Sequence, residues 1–108
     1  MPFAVFLTRH AARDFDELYD YIAQHDAPGK AEHVLVGLEK VFGSLSDSPQ
    51  RGTYPRELLS IGIREYRELF FKPYRIIYRV VGRDVYVLLI ADGRRDFQTL
   101  LQRRLLEG

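Results

Sequence analysis

Residues 63–96 constrain the fold more than any other part of this chain, because three strand-like runs follow one another there with turn residues between them. A Lys-Pro pair at 72–73 and a Gly-Arg-Asp segment at 82–84 separate the runs, and an Asp-Gly pair at 92–93 ends the third. Aromatic and β-branched residues favour strands, so this spacing predicts an antiparallel meander. Gly93 is expected to have a positive φ that turns the chain out of the sheet.

Arginines recur along the first two of these runs and again directly after the third. Strands have no general need for arginine, whereas its guanidinium group is well suited to bidentate contact with phosphate or carboxylate. The pattern therefore indicates an anionic partner for the sheet, and we expect these arginines to face one cleft. The predicted target-binding residues are Arg64, Arg67, Arg75, Arg79, Arg94 and Arg95.

The first half of the chain predicts one strand and two helices. Residues 2–7 form an apolar run of strand length, which we expect to be buried on both faces. Thr8 can cap an amphipathic helix, and a second helix follows after so short a link that the two must run antiparallel. A closing helix is predicted from an Asp96 cap to about residue 106. The expected fold is α+β in the order β-α-α-β-β-β-α, a small antiparallel sheet with a helical hairpin on one face and the other face open.

Composition limits the functions that this chain can have. Its 108 residues are enough for one domain, spanning 1–108, and 46% of them are apolar. The absence of cysteine excludes disulfides, thiol nucleophiles and thiolate zinc sites. The sequence has no cofactor-binding glycine motif and no apolar run of about 18 residues that could span a bilayer. We therefore expect a cytoplasmic protein that binds no metal, cofactor or membrane.

Charge is distributed unevenly between the two halves. Residues 1–62 contain six basic and nine acidic side chains, whereas residues 63–108 contain ten basic and six acidic ones. This asymmetry within one small domain favours a partner surface, because long-range fields act on association more than on the fold.

Several short motifs together resemble the RelE/ParE superfamily of bacterial toxin–antitoxin modules. The resemblance covers nearly the whole chain and implies the fold predicted above. It rests on DYI at 20–22, AE at 31–32, SPQRG at 48–52, YRIIYRV at 74–80 and GRRD at 93–96.

The resemblance implies one of two mechanisms. RelE-like members cut messenger RNA on the ribosome, whereas ParE-like members act on DNA gyrase and lack the nuclease residues. A toxin of either branch is held inactive by an antitoxin. RNA cleavage needs a base, an acid and cations that stabilise the developing charge on phosphorus.

Compared with the RelE-like pattern, this chain has the cations and lacks the proton carriers. Arg67 matches one of the expected lysines, and Arg75 and Arg95 match the two expected arginines. Leu69 and Leu101 stand at the positions of the second lysine and the tyrosine. All three histidines lie in the helical half, away from the arginines.

Two glutamates remain as possible bases. Glu65 and Glu68 are more simply interpreted as charge partners of nearby arginines. If the chain is a nuclease, its catalytic set is Arg67, Arg75, Arg95 and Glu68. Otherwise no catalytic residue is assigned.

The sequence therefore favours a ParE-like toxin of a type II toxin–antitoxin pair that inhibits growth by binding DNA gyrase and performs no chemistry. The alternatives are a ribosome-dependent mRNA endoribonuclease, whose partners would be the ribosome and mRNA, and an inactive member that only binds an antitoxin. The predicted antitoxin contacts are the apolar residues of the closing helix, Phe97, Leu100, Leu101 and Leu105.

Overall fold

The structure, a computed structural model, describes residues 2–107 and has the predicted elements in the predicted order, with one further short helix before the second strand. The strands and helices are β1 (Ala4–Leu7), α1 (Arg9–His25), α2 (Lys30–Gly43), α3 (Arg56–Leu59), β2 (Arg67–Phe71), β3 (Tyr74–Val81), β4 (Asp84–Asp92) and α4 (Phe97–Glu107). The predicted α+β class is confirmed, and both expected caps form. Thr8 Oγ1 accepts a hydrogen bond from the Ala11 backbone N–H at 3.1 Å, and Asp96 Oδ1 accepts one from the Thr99 N–H at 3.2 Å.

The four strands form one sheet in the order β1-β4-β3-β2. Strands β2, β3 and β4 are the predicted antiparallel meander. Strand β1 pairs in parallel with β4, with Ala4 opposite Asp84 and Leu7 opposite Val87, so the sheet is mixed and not antiparallel throughout. Parallel neighbours require a long crossover, and the helical hairpin together with β2 and β3 provides it.

The main core lies between the α1–α2 hairpin and one face of the sheet. Alternate strand residues point to this face, as the period of two requires. Burying each such side chain contributes about 1.5–3 kcal/mol. The fully or nearly fully buried residues of the main core include Ala11, Ile22, Val34, Leu38, Ile76, Tyr78, Val85 and Val87.

A second, smaller core covers part of the opposite face. Ile77 and Leu89 of the sheet pack there against Leu58 of α3 and against Phe97 and Leu101 of α4. The expectation that this face stays open is therefore wrong where α3 and α4 lie on it. The β1 end of the sheet is more open. Phe6 is 47% exposed and stacks on Tyr86, so the prediction that β1 is buried on both faces is also wrong.

Strand β1 is shorter than β4, and beyond its end side chains of α1 and α4 form hydrogen bonds with the backbone of β4. Asp14 of α1 accepts a hydrogen bond from the Ile90 N–H at 3.0 Å. Arg104 of α4 donates to the Leu88 carbonyl at 2.6 Å and pairs with both oxygens of Asp14, at 2.7 and 2.8 Å. This ion pair ties α1, β4 and α4 together at an otherwise unpaired edge. Within residues 2–107, no helix is long and apolar enough to cross a membrane.

Candidate functional site

Arg75 of β3 lies at the centre of a buried ion-pair cluster with Glu57 and Glu68. Its two terminal nitrogens donate to the two oxygens of Glu57, each at 2.8 Å, and its Nε donates to Glu68 Oε1 at 2.7 Å. The Phe97 ring covers the guanidinium, with 3.9 Å between its centroid and the guanidinium carbon. Only 8% of the Arg75 side chain is exposed. Within the fold, Arg75 is a buried ion-pair partner of both glutamates, and its role as a target contact stays a prediction.

The pKa values of the two glutamates of this cluster are shifted in opposite directions. The hydrogen bond from Arg75 lowers the pKa of Glu57. Burial raises the pKa of Glu68 even though Arg75 is adjacent. The interpretation of Glu68 as a charge partner of an arginine is confirmed, and its carboxylate is not open to a substrate. Glu65 is exposed and forms no ion pair with another residue of the described chain.

Gly93 leaves room for the Arg75 side chain. A Cβ at Gly93 would lie 2.8 Å from Arg75 Cδ and 2.9 Å from its Cγ, which is closer than side chains can pack. The expected positive φ is wrong, because the glycines with positive φ in the described chain are Gly29, Gly62 and Gly82. Gly93 is needed for close packing and not for a left-handed turn.

Arg67 of β2 fixes the loop before α3. Its Nη1 donates to the Gly52 carbonyl at 2.8 Å, and its guanidinium carbon lies 4.7 Å from the centroid of the Tyr54 ring. The buried Tyr78 hydroxyl holds the same loop, donating to Pro49 O at 2.8 Å and accepting from Gly52 N–H at 3.0 Å. These contacts anchor the SPQRG segment, residues 48–52, to strands β2 and β3.

Beside this loop, three arginines line one cavity of about 240 Å³. Arg64 is exposed, and the guanidinium carbon of Arg79 lies 5.6 Å from the centroid of the Tyr66 ring. We call this space the arginine cavity, and its lining residues are Gln50, Arg64, Glu65, Arg67, Arg79 and Val80.

Arg94 and Arg95 line a different, larger cavity of about 580 Å³ between α1 and the end of β4. Arg94 pairs with Asp92 through Nε at 3.0 Å and Nη2 at 2.6 Å and is 80% exposed, and this pairing lowers the pKa of Asp92. Acidic residues of α1, including Glu17, share the cavity lining. The expectation that all six arginines face one cleft is therefore wrong, since they occupy two cavities and a buried cluster.

The apolar residues of α4 lie mostly inside the protein. Phe97 and Leu101 are 4% and 2% exposed, and Leu100 and Leu105 are partly buried against the second core. The sheet buries Phe97 and Leu101, and the antitoxin contact of these four residues stays a prediction. The exposed leucine of this helix is Leu106, at 88%.

Sequence reasoning missed Glu57 and the pair formed by Asp14 and Arg104. Glu57 belongs to a four-residue helix, and its position opposite Arg75 depends on the second core. Asp14 and Arg104 are 90 residues apart, so no local spacing could connect them. Within residues 2–107, no group of three His, Cys, Asp or Glu side chains is placed to hold a metal ion.

Comparisons with known proteins identify the family to which this chain belongs. The family model described as the ParE toxin of type II toxin–antitoxin systems, parDE, matches residues 5–97. The chain is 31% identical over 100 residues to Toxin ParE3 of Caulobacter vibrioides, covering 93% of this chain and 96% of that protein. The chain belongs to the ParE toxin family of type II toxin–antitoxin systems.

Solved structures show the same fold. A chain of the chromosomal ParDE system of P. aeruginosa has a TM-score of 0.68 at 23% identity, over 83% of this chain and 95% of that one. A chain of the RelBE2 toxin–antitoxin complex of Mycobacterium tuberculosis has a TM-score of 0.58 at 26% identity, over 85% and 99%. A mutant of the E. coli toxin RelE in the free state has a TM-score of 0.62 at 15% identity, over 95% and 98%.

Proposed function

We propose that this chain inhibits bacterial growth in the cytoplasm by binding DNA gyrase, and that a cognate antitoxin holds it inactive. Two facts support the proposal. The chain belongs to the ParE family over most of its length, and gyrase is the target that its resemblance to the ParE branch implies.

The observation that carries the proposal is the cluster of Arg75, Glu57 and Glu68. RNA cleavage requires a base within hydrogen-bonding reach of the 2′-hydroxyl and cations that reach the phosphate. Here the candidate cation Arg75 and the candidate base Glu68 bond to each other at 2.7 Å, and the Phe97 ring covers the Arg75 guanidinium. A pair that is satisfied within the fold serves stability, which favours action by binding over action by chemistry.

The positions of the histidines support the same conclusion. His25 Nδ1–H donates to the Tyr21 carbonyl at 2.9 Å, and the His25 ring stacks on the Tyr21 ring. His10 lies 3.9 Å from Glu107. His33 contacts the Phe71 ring. The three histidines themselves lie on α1 and α2, and they are not among the residues that line the arginine cavity.

An antitoxin partner is proposed from the same family membership. Two of the structural neighbours are described as parts of toxin–antitoxin systems, ParDE and RelBE2. Exposed apolar side chains on the helices, namely Tyr21, Val36 and Leu106, are 63%, 47% and 88% exposed. We expect the neighbouring gene to encode a small protein with an acidic C-terminal half that co-purifies with this chain.

Controlled expression in bacteria tests the proposal. Expression of this chain alone should stop division, produce filaments and induce the DNA-damage response, and co-expression of the neighbouring gene should restore growth. Primer extension on cellular transcripts after brief induction should show no new cuts. Codon-aligned cuts that vanish in Arg95→Ala would instead establish the nuclease alternative. Normal growth despite abundant folded protein would indicate an inactive member.

A further inference from the structure

Arg79 contains a buried donor that has no partner. Its Nε is fully shielded and is the one buried side-chain N or O atom in residues 2–107 without a hydrogen bond. Leaving such a donor unpaired is unfavourable, and nearly all buried polar groups in folded proteins are paired. This donor belongs to a side chain that lines the arginine cavity. A ligand in this cavity would therefore lie beside a side chain that has an unpaired donor.

The charges around the cavity are also uncompensated. Three guanidinium groups, those of Arg64, Arg67 and Arg79, share the lining with one carboxylate, that of Glu65. None of these four side chains forms an ion pair with any described residue. The cavity therefore has an excess of two positive charges, and guanidinium groups held close together repel each other unless an anion lies among them.

Other arginines of this chain show how it binds carboxylates. Arg104 binds both oxygens of Asp14, and Arg94 binds both oxygens of Asp92. One guanidinium fork satisfies one carboxylate, since both groups are planar. Three guanidinium groups around one cavity carry more positive charge than one carboxylate neutralises. A tetrahedral oxyanion with several acceptor oxygens fits this arrangement better.

We propose that the arginine cavity binds a phosphate group, with Arg79 and Arg64 as its main donors. Arg79 Nε–H gains its missing acceptor, and Arg64 contributes an exposed guanidinium that can close over the anion. Arg67 contributes charge while its Nη1 keeps its bond to the Gly52 carbonyl. The phosphate can come from free phosphate, a nucleotide or the backbone of a nucleic acid. This site does not depend on the proposed action on gyrase.

Nuclear magnetic resonance of the full-length chain tests the proposal directly. Inorganic phosphate is titrated at constant ionic strength, with sodium chloride making up the difference, so that screening stays fixed. The Arg79 Nε–H resonance should shift saturably and exchange more slowly with water. A 5′-mononucleotide and a short single-stranded DNA, titrated in separate arms, identify which source of phosphate binds most tightly.

Substitutions separate the site from general attraction to a basic protein. Arg79→Gln removes the donor fork and the charge, and should weaken phosphate binding about tenfold or more, because it removes a charge-assisted hydrogen bond. Arg79→Lys keeps the charge and should still bind weakly. Arg64→Gln changes an exposed residue, so its loss of affinity cannot be attributed to misfolding. Arg103→Gln removes the same charge from the exposed face of α4 and should bind phosphate as the unmodified chain does.

Several results would overturn the proposal. The absence of a saturable shift at Arg79 would exclude the site, and an equal loss of affinity in Arg103→Gln would reduce it to non-specific attraction. A short oligoglutamate that binds in this cavity while all three phosphate ligands fail to bind would make it a carboxylate site for a protein partner. Each outcome is independent of whether gyrase is the target, since no activity is measured.

Discussion

The arginines of this chain fall into an internal group and a surface group. The guanidinium groups of the internal group, Arg67, Arg75 and Arg104, point into the protein, whereas Arg64 and Arg95 lie on the surface. The internal arginines bond to carboxylates or carbonyls of the chain, and the Arg75 and Arg104 side chains are only 8% and 15% exposed. The type of residue is the same in both groups, and its neighbours decide between a structural and a binding role. A sequence pattern that records only arginine at a given spacing cannot separate these roles.

Removal of the buried cation should be costly. Arg75→Met leaves Glu68 buried without its partner, and we expect the free energy of unfolding to fall by about 3–5 kcal/mol. Adding Glu68→Gln should recover part of this loss, because the uncompensated carboxylate is the source of the cost. Urea unfolding of the two variants measures both effects. A stable Arg75→Met variant that no longer inhibits growth would instead make Arg75 a target contact.

The lowered pKa of Glu57 predicts an acid-dependent contribution to stability. The folded-state pKa lies below the ordinary value of 4.5, so the contribution is fully present above that pH and is lost as the pH falls through the folded-state pKa. Glu57→Gln should therefore be less stable than the unmodified chain at about pH 7, by roughly 1–3 kcal/mol, and the difference should shrink towards about pH 3. Glu68 is present in both proteins, so the effect of its raised pKa on stability largely cancels when the two proteins are compared. Thermal unfolding across this pH range measures the difference, and a constant gap would refute the assignment.

At the scale of elements, periodicity predicted which residues share a face but not what covers that face. The order of helices and strands, the caps at Thr8 and Asp96 and the meander all follow from local signals. The parallel pairing of β1 and the docking of α4 on the sheet depend on contacts between distant segments. Periodicity places Phe97 and Leu101 on one apolar side of α4, and such a side is equally compatible with an internal core and with a partner.

Two leucines of α4 test which part of that helix is structural. Leu101→Ala should lower the free energy of unfolding by about 2–5 kcal/mol, since it empties space in the second core. Leu106→Ala makes the same chemical change at a side chain that is 88% exposed and should leave stability nearly unchanged. Denaturant unfolding compares the two variants. Equal losses would mean that α4 does not pack as described.

Over the whole molecule, the net charge of +1 conceals a local excess of positive charge at the arginine cavity, whereas acidic side chains outnumber Arg94 and Arg95 in the lining of the larger cavity. Electrostatic complementarity mainly affects the rate at which partners associate, whereas buried apolar contacts mainly affect the rate at which they separate. We therefore expect the rates at which the antitoxin and the target associate with this chain to depend on salt concentration.

Charge reversal at the end of β4 tests this expectation. Arg94→Glu combined with Arg95→Glu should slow association with the antitoxin roughly tenfold at low salt, and the effect should fade as salt rises. Both side chains are exposed, so the midpoint of thermal unfolding should change little. Reversal of the exposed Arg13 and Arg103 is the matched control and should slow association less. If the first double variant unfolds, these arginines are structural.

The most direct test of the proposed function is DNA supercoiling by purified gyrase in the presence of the purified chain. We predict that supercoiling of relaxed plasmid falls as the chain is added, and that pre-mixing with the co-purified antitoxin restores it. The Glu57→Gln variant, assayed at neutral pH where it remains folded, should still inhibit, because Glu57 acts within the fold. Undiminished supercoiling at a large excess of folded chain, together with cleavage of mRNA on translating ribosomes by the same preparation, would contradict the proposed function.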